Sequence, residues 1–258
     1  MSRIARDTST TPAISATTVS LDDGQPLELH LAVPLKPRVP GVLVLYASGD
    51  GGWFGSAEDM FRAVGDAGFY GVGLSTRTLL HRRSPAGAPP GVQELARDYR
   101  TILDRASTLL HLPADHRVVL SGWSRGASLA VLIGAARHAP RNLAGIVAIG
   151  LTADENLTVT SDTDDDPDDT VPAGKHPGGI LLYPLLDDVA PGRCAVIQAT
   201  GDKYLPAAQA RVLFGADTTQ RRFYEVPAKN HRFGGGAEAF AASLRESLDW
   251  VANGSPVP

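Results

Sequence analysis

Val118-Val119-Leu120-Ser121-Gly122-Trp123-Ser124-Arg125-Gly126-Ala127-Ser128-Leu129-Ala130-Val131-Leu132-Ile133-Gly134 decides how this chain folds. A short β-branched run, Arg117 to Leu120, leads into G-x-S-x-G. An Ala- and Leu-rich segment, Arg125 to Arg137, follows with helical composition. A serine between a strand and a helix, with a glycine two residues to either side, sits on a sharp turn that leaves little room for neighbouring side chains. Its hydroxyl then stands at a helix N-terminus, where unpaired N–H groups favour developing negative charge. Ser124 is therefore the candidate nucleophile.

Outward from this turn the same alternation repeats. Gly41 to Ala47 (GVLVLYA) and Leu143 to Leu151 are continuous apolar runs of the kind found in strands covered on both faces. Pro26 to Val33 alternates with period two, and Tyr70 to Leu74, Cys194 to Ala199 and Arg222 to Val226 are further short strands. Ala57 to Ala67, Val92 to Leu110, Ala207 to Phe214 and Ala237 to Val251 carry helical spacing. Strands alternating with helices imply an α/β fold with a mainly parallel central sheet and helices on both faces. With the serine turn, the expected architecture is that of an α/β hydrolase. Residues 1–20 read as a flexible lead-in and 21–253 as one domain, with a polar, acidic loop over about 152–179.

Composition narrows the classes further. Across 258 residues, 43% hydrophobic and 20% charged content is that of a soluble globular chain. A net charge of −4 provides no basic field for nucleic acid. No apolar run reaches the ~18 residues of a membrane span. The lone Cys194 permits no internal disulfide and argues against a cysteine metal site; neither metal nor cofactor is expected. Met1 to Ser20 is rich in Ser and Thr and lacks the apolar core of a signal peptide. A cytoplasmic chain and an exported one whose signal has been removed both fit, and the oligomeric state is open.

A serine hydroxyl needs a base, and this fold supplies the partners in the order Ser, Asp or Glu, His. Only His138, His176 and His231 follow Ser124. His138 falls at a helix end and His176 in the polar loop, whereas His231 lies in the loop between the strand ending at Val226 and the last helix. Asp202 follows the strand Cys194 to Ala199, at the carboxyl edge where it can orient an imidazole. Asp187, Asp188 and Glu225 occupy poorer stations. The oxyanion donors expected are the N–H of Arg125 and one from Gly49 or Asp50, in the Gly-rich loop after GVLVLYA.

Ser48 to Trp53 (SGDGGW), together with Gly122 to Ala127 (GWSRGA), resembles the bacterial virulence protein VirJ and AcvB family over roughly Gly41 to Val251. The resemblance implies a Gram-negative envelope protein, periplasmic in location. It further implies hydrolysis of the aminoacyl ester of lysyl- or alanyl-phosphatidylglycerol, with nucleophile, acid and base at Ser124, Asp202 and His231. Arg125 stands where the family usually has an aromatic residue.

Arg77, Arg82 and Arg83 lie in the Pro-, Gly- and Arg-containing loop, extending to Gly91, expected after the strand Tyr70 to Leu74. With Arg125 they form a candidate set for an anionic head group. Trp53 and Trp123 are further candidates for substrate contact. Six Asp between Asp162 and Asp169, within Ser161 to Thr170, read as a solvated loop, with attraction of a cationic group or Ca²⁺ as lesser readings. The expected partner is a small-molecule or lipid ester, the latter requiring contact with a membrane surface. The expected activity is serine esterase chemistry through an acyl-enzyme. A broad carboxylesterase of small esters and a non-catalytic hydrolase-fold binding module of a secretion system are the alternatives.

Overall fold

The computed structural model describes residues 11–84, 88–158, 178–189 and 192–254. An eight-stranded sheet in the order β1-β2-β4-β3-β5-β6-β9-β10 organises them. Its strands are β1 (Ala13–Ser20), β2 (Pro26–Val33), β3 (Val42–Ala47), β4 (Tyr70–Leu74), β5 (Arg117–Trp123), β6 (Leu143–Ile149), β9 (Arg193–Ala199) and β10 (Arg221–Val226). Only β2 runs against the others: it pairs antiparallel with both β1 and β4, and all remaining pairs are parallel. A two-residue ribbon, β7 (Asp154–Glu155) with β8 (Ile180–Leu181), flanks the sheet.

The apolar run in β3 shows why the sheet is covered twice. Leu43, Leu45 and Ala47 join one core cluster, whereas Val42, Val44 and Tyr46 join the other. Both sets are fully buried, each Val and Leu side chain contributing about 1.5–3 kcal/mol. Helices α3 (Val92–Leu109) and α4 (Arg125–Gly134) contribute to the first cluster, as do buried residues of α2 (Thr76–Arg83) and α5 (Ala207–Phe214). Helices α1 (Ser56–Asp66) and α6 (Ala237–Ala252) contribute to the second. Almost every residue of α4 is buried, so it lacks the polar face of a surface helix.

Two parts of the sequence reading require correction. Ala13–Ser20, expected within a flexible lead-in, is an edge strand paired with β2 along all eight residues. Its alternation is faint because an edge strand buries little; Ile14, Thr17 and Val19 are only half-buried. The loop expected after β4 is largely helical. Ser75 caps α2 by accepting from the Thr78 N–H at 3.2 Å, a side-chain signal hidden by the polar, Arg-rich composition. Most of the acidic loop, including Ser161 to Thr170 and His176, lies outside the described residues.

His30, on β2, stacks on Trp53 with ring centroids 4.1 Å apart and planes at 5°. Burial pushes its pKa below the ordinary 6.5, against the opposing charges of Glu28 and Glu58. The folded chain therefore protonates His30 less readily than the unfolded chain does, so stability declines as pH falls below about 6.5. The urea midpoint should decline between pH 7.5 and 5.5, and His30→Phe should flatten that slope. An unchanged slope in the variant would assign the decline to other groups.

Candidate active site

Ser124 occupies the step from β5 into α4 at φ 57°, ψ −121°, a strained conformation for a residue with a side chain. The flanking glycines explain why the chain can make this step. A Cβ on Gly126 would lie 2.0 Å from the Ala47 carbonyl oxygen, and one on Gly122 would lie 2.3 Å from the Gly126 carbonyl carbon. Helix α4 thus begins in backbone contact with the end of β3. This brings the Gly-rich loop beside the serine: a Cβ on Gly49 would sit 3.3 Å from Ser124 Cβ. The Arg125 N–H is the first of the helix and has no intrahelical partner.

Asp202 and His231, 29 residues apart, meet at the carboxyl ends of β9 and β10. His231 Nδ1–H donates to Asp202 Oδ2 at 2.6 Å, and both residues are buried. Every described partner of the carboxylate is a donor: Gln198 Nε2 at 2.9 Å on Oδ2, and the Tyr204 N–H at 2.9 Å on Oδ1. The Leu205 N–H makes a longer contact of 3.4 Å. His231 Nε2 is buried and has no hydrogen-bond partner, leaving one ring nitrogen uncommitted. The ring packs against Trp123 at 5.4 Å and edge-on against Tyr204 at 4.7 Å.

Trp123 ties the two halves of the site together. Its Nε1–H donates to the His231 carbonyl at 3.1 Å, while its ring lies where a Cβ on Gly49 would come within 3.2 Å. Gly150, after β6, adopts φ 61°, and a Cβ there would meet His231 Cε1 at 2.8 Å. Gln198 and Gly150 were missed in the sequence. The available signal for Gln198 was a lone amide inside the otherwise apolar strand CAVIQA.

Three of the four arginines expected to hold an anion are paired with carboxylates of the chain itself. Arg82 Nε donates to Asp23 at 2.9 Å and its NH1 to the Pro26 carbonyl at 3.1 Å. That hydrogen bond holds the Asp23 carboxyl well below the usual carboxylate range. Arg83 pairs with Asp98 at 2.7 Å and with Glu94 at 3.2 Å. Arg125 pairs with Asp50 at 2.8 Å and donates to the Thr158 carbonyl at 2.9 Å. Carboxylates on β-turns and neighbouring helices compete for these guanidinium groups, and no residue spacing reveals that competition. Arg77 is half-buried in the first turn of α2. Trp53 faces inward, packed on His30, Tyr46 and Phe61, and so anchors the Gly-rich loop.

A cavity of about 310 Å³, lined by residues including Leu186, Gly192, Phe214 and Arg221, lies at the amino ends of β9 and β10. It is therefore on the opposite edge of the sheet from Ser124. Among the described residues, no helix is long and apolar enough to cross a membrane.

No family model and no curated protein matches the chain. Solved structures do. The esterase domain of a Rhodothermus marinus protein superposes with TM-score 0.59 at 17% identity, covering 92% of this chain and 98% of that one. Est1E from Butyrivibrio proteoclasticus gives 0.61 at 14%, covering 92% and 99%. An α/β serine hydrolase without a lid from Xanthomonas campestris gives 0.58 at 15%, covering 96% and 98%. The fold is that of the α/β hydrolases. Within this fold, ligands bind beyond the carboxyl ends of the strands, where Ser124, Asp202, His231 and the Gly49 loop are all found.

Proposed function

We propose that this α/β-hydrolase-fold chain is a serine hydrolase acting on carboxylic esters through an acyl-enzyme. One observation carries the reading: a buried imidazole bonded through Nδ1 to a buried carboxylate, its Nε2 uncommitted, beside a strand-to-helix turn that presents a strained serine. Ser124 Oγ attacks the ester carbonyl while His231 Nε2 takes its proton, and Asp202 stabilises the imidazolium that forms. The Arg125 N–H and a donor from Gly49 or Asp50 receive the oxyanion. His231 then protonates the departing alcohol, and water attacks the acyl-serine with the same base, restoring the enzyme. The step requires Ser124 Oγ within hydrogen-bond reach of His231 Nε2 in the substrate complex.

For the substrate, the reading with most support from the sequence is the aminoacyl ester of an aminoacyl-phosphatidylglycerol. It rests on the resemblance of SGDGGW and GWSRGA to the VirJ and AcvB family, and those two segments pack against each other at Gly49 and Ser124. Such a substrate would bring the protein to a membrane surface in the periplasm.

The test is labelling with a fluorophosphonate probe. Wild type should label stoichiometrically, and Ser124→Ala and His231→Ala should lose labelling while remaining folded. A folded wild type that does not label would remove the serine-hydrolase reading. With labelling in hand, vesicles containing lysyl-phosphatidylglycerol are compared with a short-chain nitrophenyl ester. Release of lysine supports the lipid; turnover of the short ester alone supports a broad carboxylesterase.

A further inference from the structure

The two residues expected to offer oxyanion N–H groups from opposite sides of Ser124 are joined by their own side chains. Asp50, in the Gly-rich loop after β3, pairs with Arg125, the first residue of α4, at 2.8 Å. The carboxylate is largely exposed, at 63%, but the guanidinium is only 11% exposed. On its inner side Arg125 faces buried Glu155, with Nε 3.4 Å from Oε2, and donates to the Thr158 carbonyl at 2.9 Å. Glu155 is itself fixed: its Oε1 accepts the N–H groups of Asn156 at 3.0 Å and Leu157 at 2.8 Å. These bonds close a turn in which Leu157 is held at φ 58°.

We infer that Asp50, Arg125 and Glu155 form a brace that sets the width of the oxyanion hole, acting as positioning residues rather than contacting the reacting atoms. The inference rests on the serine-hydrolase reading. The Gly-rich loop is anchored at both ends. Ser48 is tied through its N–H to the Leu74 carbonyl at 3.0 Å, and its Oγ accepts the Thr76 N–H at 3.2 Å. Trp53 packs into the sheet face. Between these anchors Gly49, Asp50, Gly51 and Gly52 include three glycines, whose backbone is the least restricted of any residue. Across that span, the Asp50–Arg125 pair is a tie from the loop's midpoint to the helix that carries the other donor. Glu155 in turn prevents the guanidinium from swinging out with Asp50. An oxyanion hole stabilises the transition state only if its donors are held in place before charge develops. The brace therefore acts on kcat and not on substrate affinity.

The pair is mostly in solvent on the Asp50 side, so it adds little to global stability. This separates a positioning role from a merely structural one. Wild type is first assayed with a short-chain ester and the fluorophosphonate probe. Inactivity in both would overturn the hydrolase reading and the brace with it. Given an active wild type, Asp50→Asn should lower kcat about three- to fivefold, as far as an exposed pair of this kind can shift the loop and less than loss of a whole donor. KM should stay within about twofold, and the melting temperature within about 2 °C of wild type. Raising salt from about 0.05 to 0.5 M should lower the wild-type kcat toward that of Asp50→Asn and leave the variant unchanged, since exposed charge is screened. Arg125→Lys should fall between the two, because one ammonium cannot hold Asp50, Glu155 and Thr158 together. A kcat for Asp50→Asn within twofold of an active wild type, or a loss that appears in KM instead, overturns the brace and leaves the serine-hydrolase reading intact.

Discussion

Asp202→Asn is expected to lower kcat for ester hydrolysis by about 10³–10⁴-fold without unfolding the chain. The reason lies in the donor count around the carboxylate. His231 Nδ1 and Gln198 Nε2 both donate to Oδ2, and the Tyr204 N–H donates to Oδ1. Asparagine replaces one of the two acceptors with an NH₂ group, and the backbone N–H of Tyr204 cannot turn away. The amide oxygen therefore goes to the backbone and the NH₂ faces His231. The imidazole must then accept at Nδ1 and carry its proton on Nε2, the nitrogen required to take the proton from Ser124. The variant would have its histidine in place and in the wrong tautomer. Steady-state rates at saturating ester check this, with the fluorophosphonate labelling rate falling in parallel. A kcat within tenfold of wild type would remove Asp202 from the role assigned to it.

Gly126→Ala should be among the most destabilising single-atom additions in the molecule, costing about 3–5 kcal/mol. The added Cβ would lie 2.0 Å from the Ala47 oxygen, 2.6 Å from the Ala47 carbonyl carbon and 2.6 Å from the Ser48 oxygen. All three are backbone atoms at the centre of the sheet, so no rotamer change relieves the contact. Helix α4 would have to move off β3, opening a core that buries nearly every residue of that helix. A loss of this size is a large share of the 5–15 kcal/mol typical of a whole domain. Gly91→Ala is the control: nothing lies within 4 Å of its added Cβ. It should cost no more than about 1 kcal/mol, the difference between Gly and Ala at a helix N-cap. Urea denaturation followed by circular dichroism separates the two. Equal midpoints for the two variants would show that the β3–α4 contact can relax.

The elements that were legible in the sequence share one property: their pattern is set by burial within a few residues. GVLVLYA and LAGIVAIG are uninterrupted because parallel strands are covered on both faces, and β3 and β6 follow from that alone. The station of Ser124 was legible because its G-x-S-x-G pattern is contiguous, although the backbone for which its glycines leave room belongs in part to Ala47 and Ser48 at the end of β3. Asp202 and His231 could be nominated because strand order places each beyond a carboxyl end. The chain does not encode their separation of 2.6 Å locally, since it depends on the register of β9 against β10. Strand β1 was invisible for the converse reason: an edge strand buries one weak face, and its hydrogen bonds to β2 leave no mark in hydropathy.

The charged residues divide the two kinds of information most clearly. By itself the sequence determined the alternating α/β order, the strand-to-helix turn at Ser124 and the set of residues available for chemistry. Only the tertiary structure decided which charges meet. It assigned Arg82 to Asp23, Arg83 to Asp98 and Arg125 to Asp50, where spacing had suggested a shared anion site. Hydrophobic burial depends on periodicity along one element and can be read one residue after another. An ion pair across 15, 59 or 75 positions depends on how separate elements dock, and that is fixed only when the sheet and its helices have closed around the core.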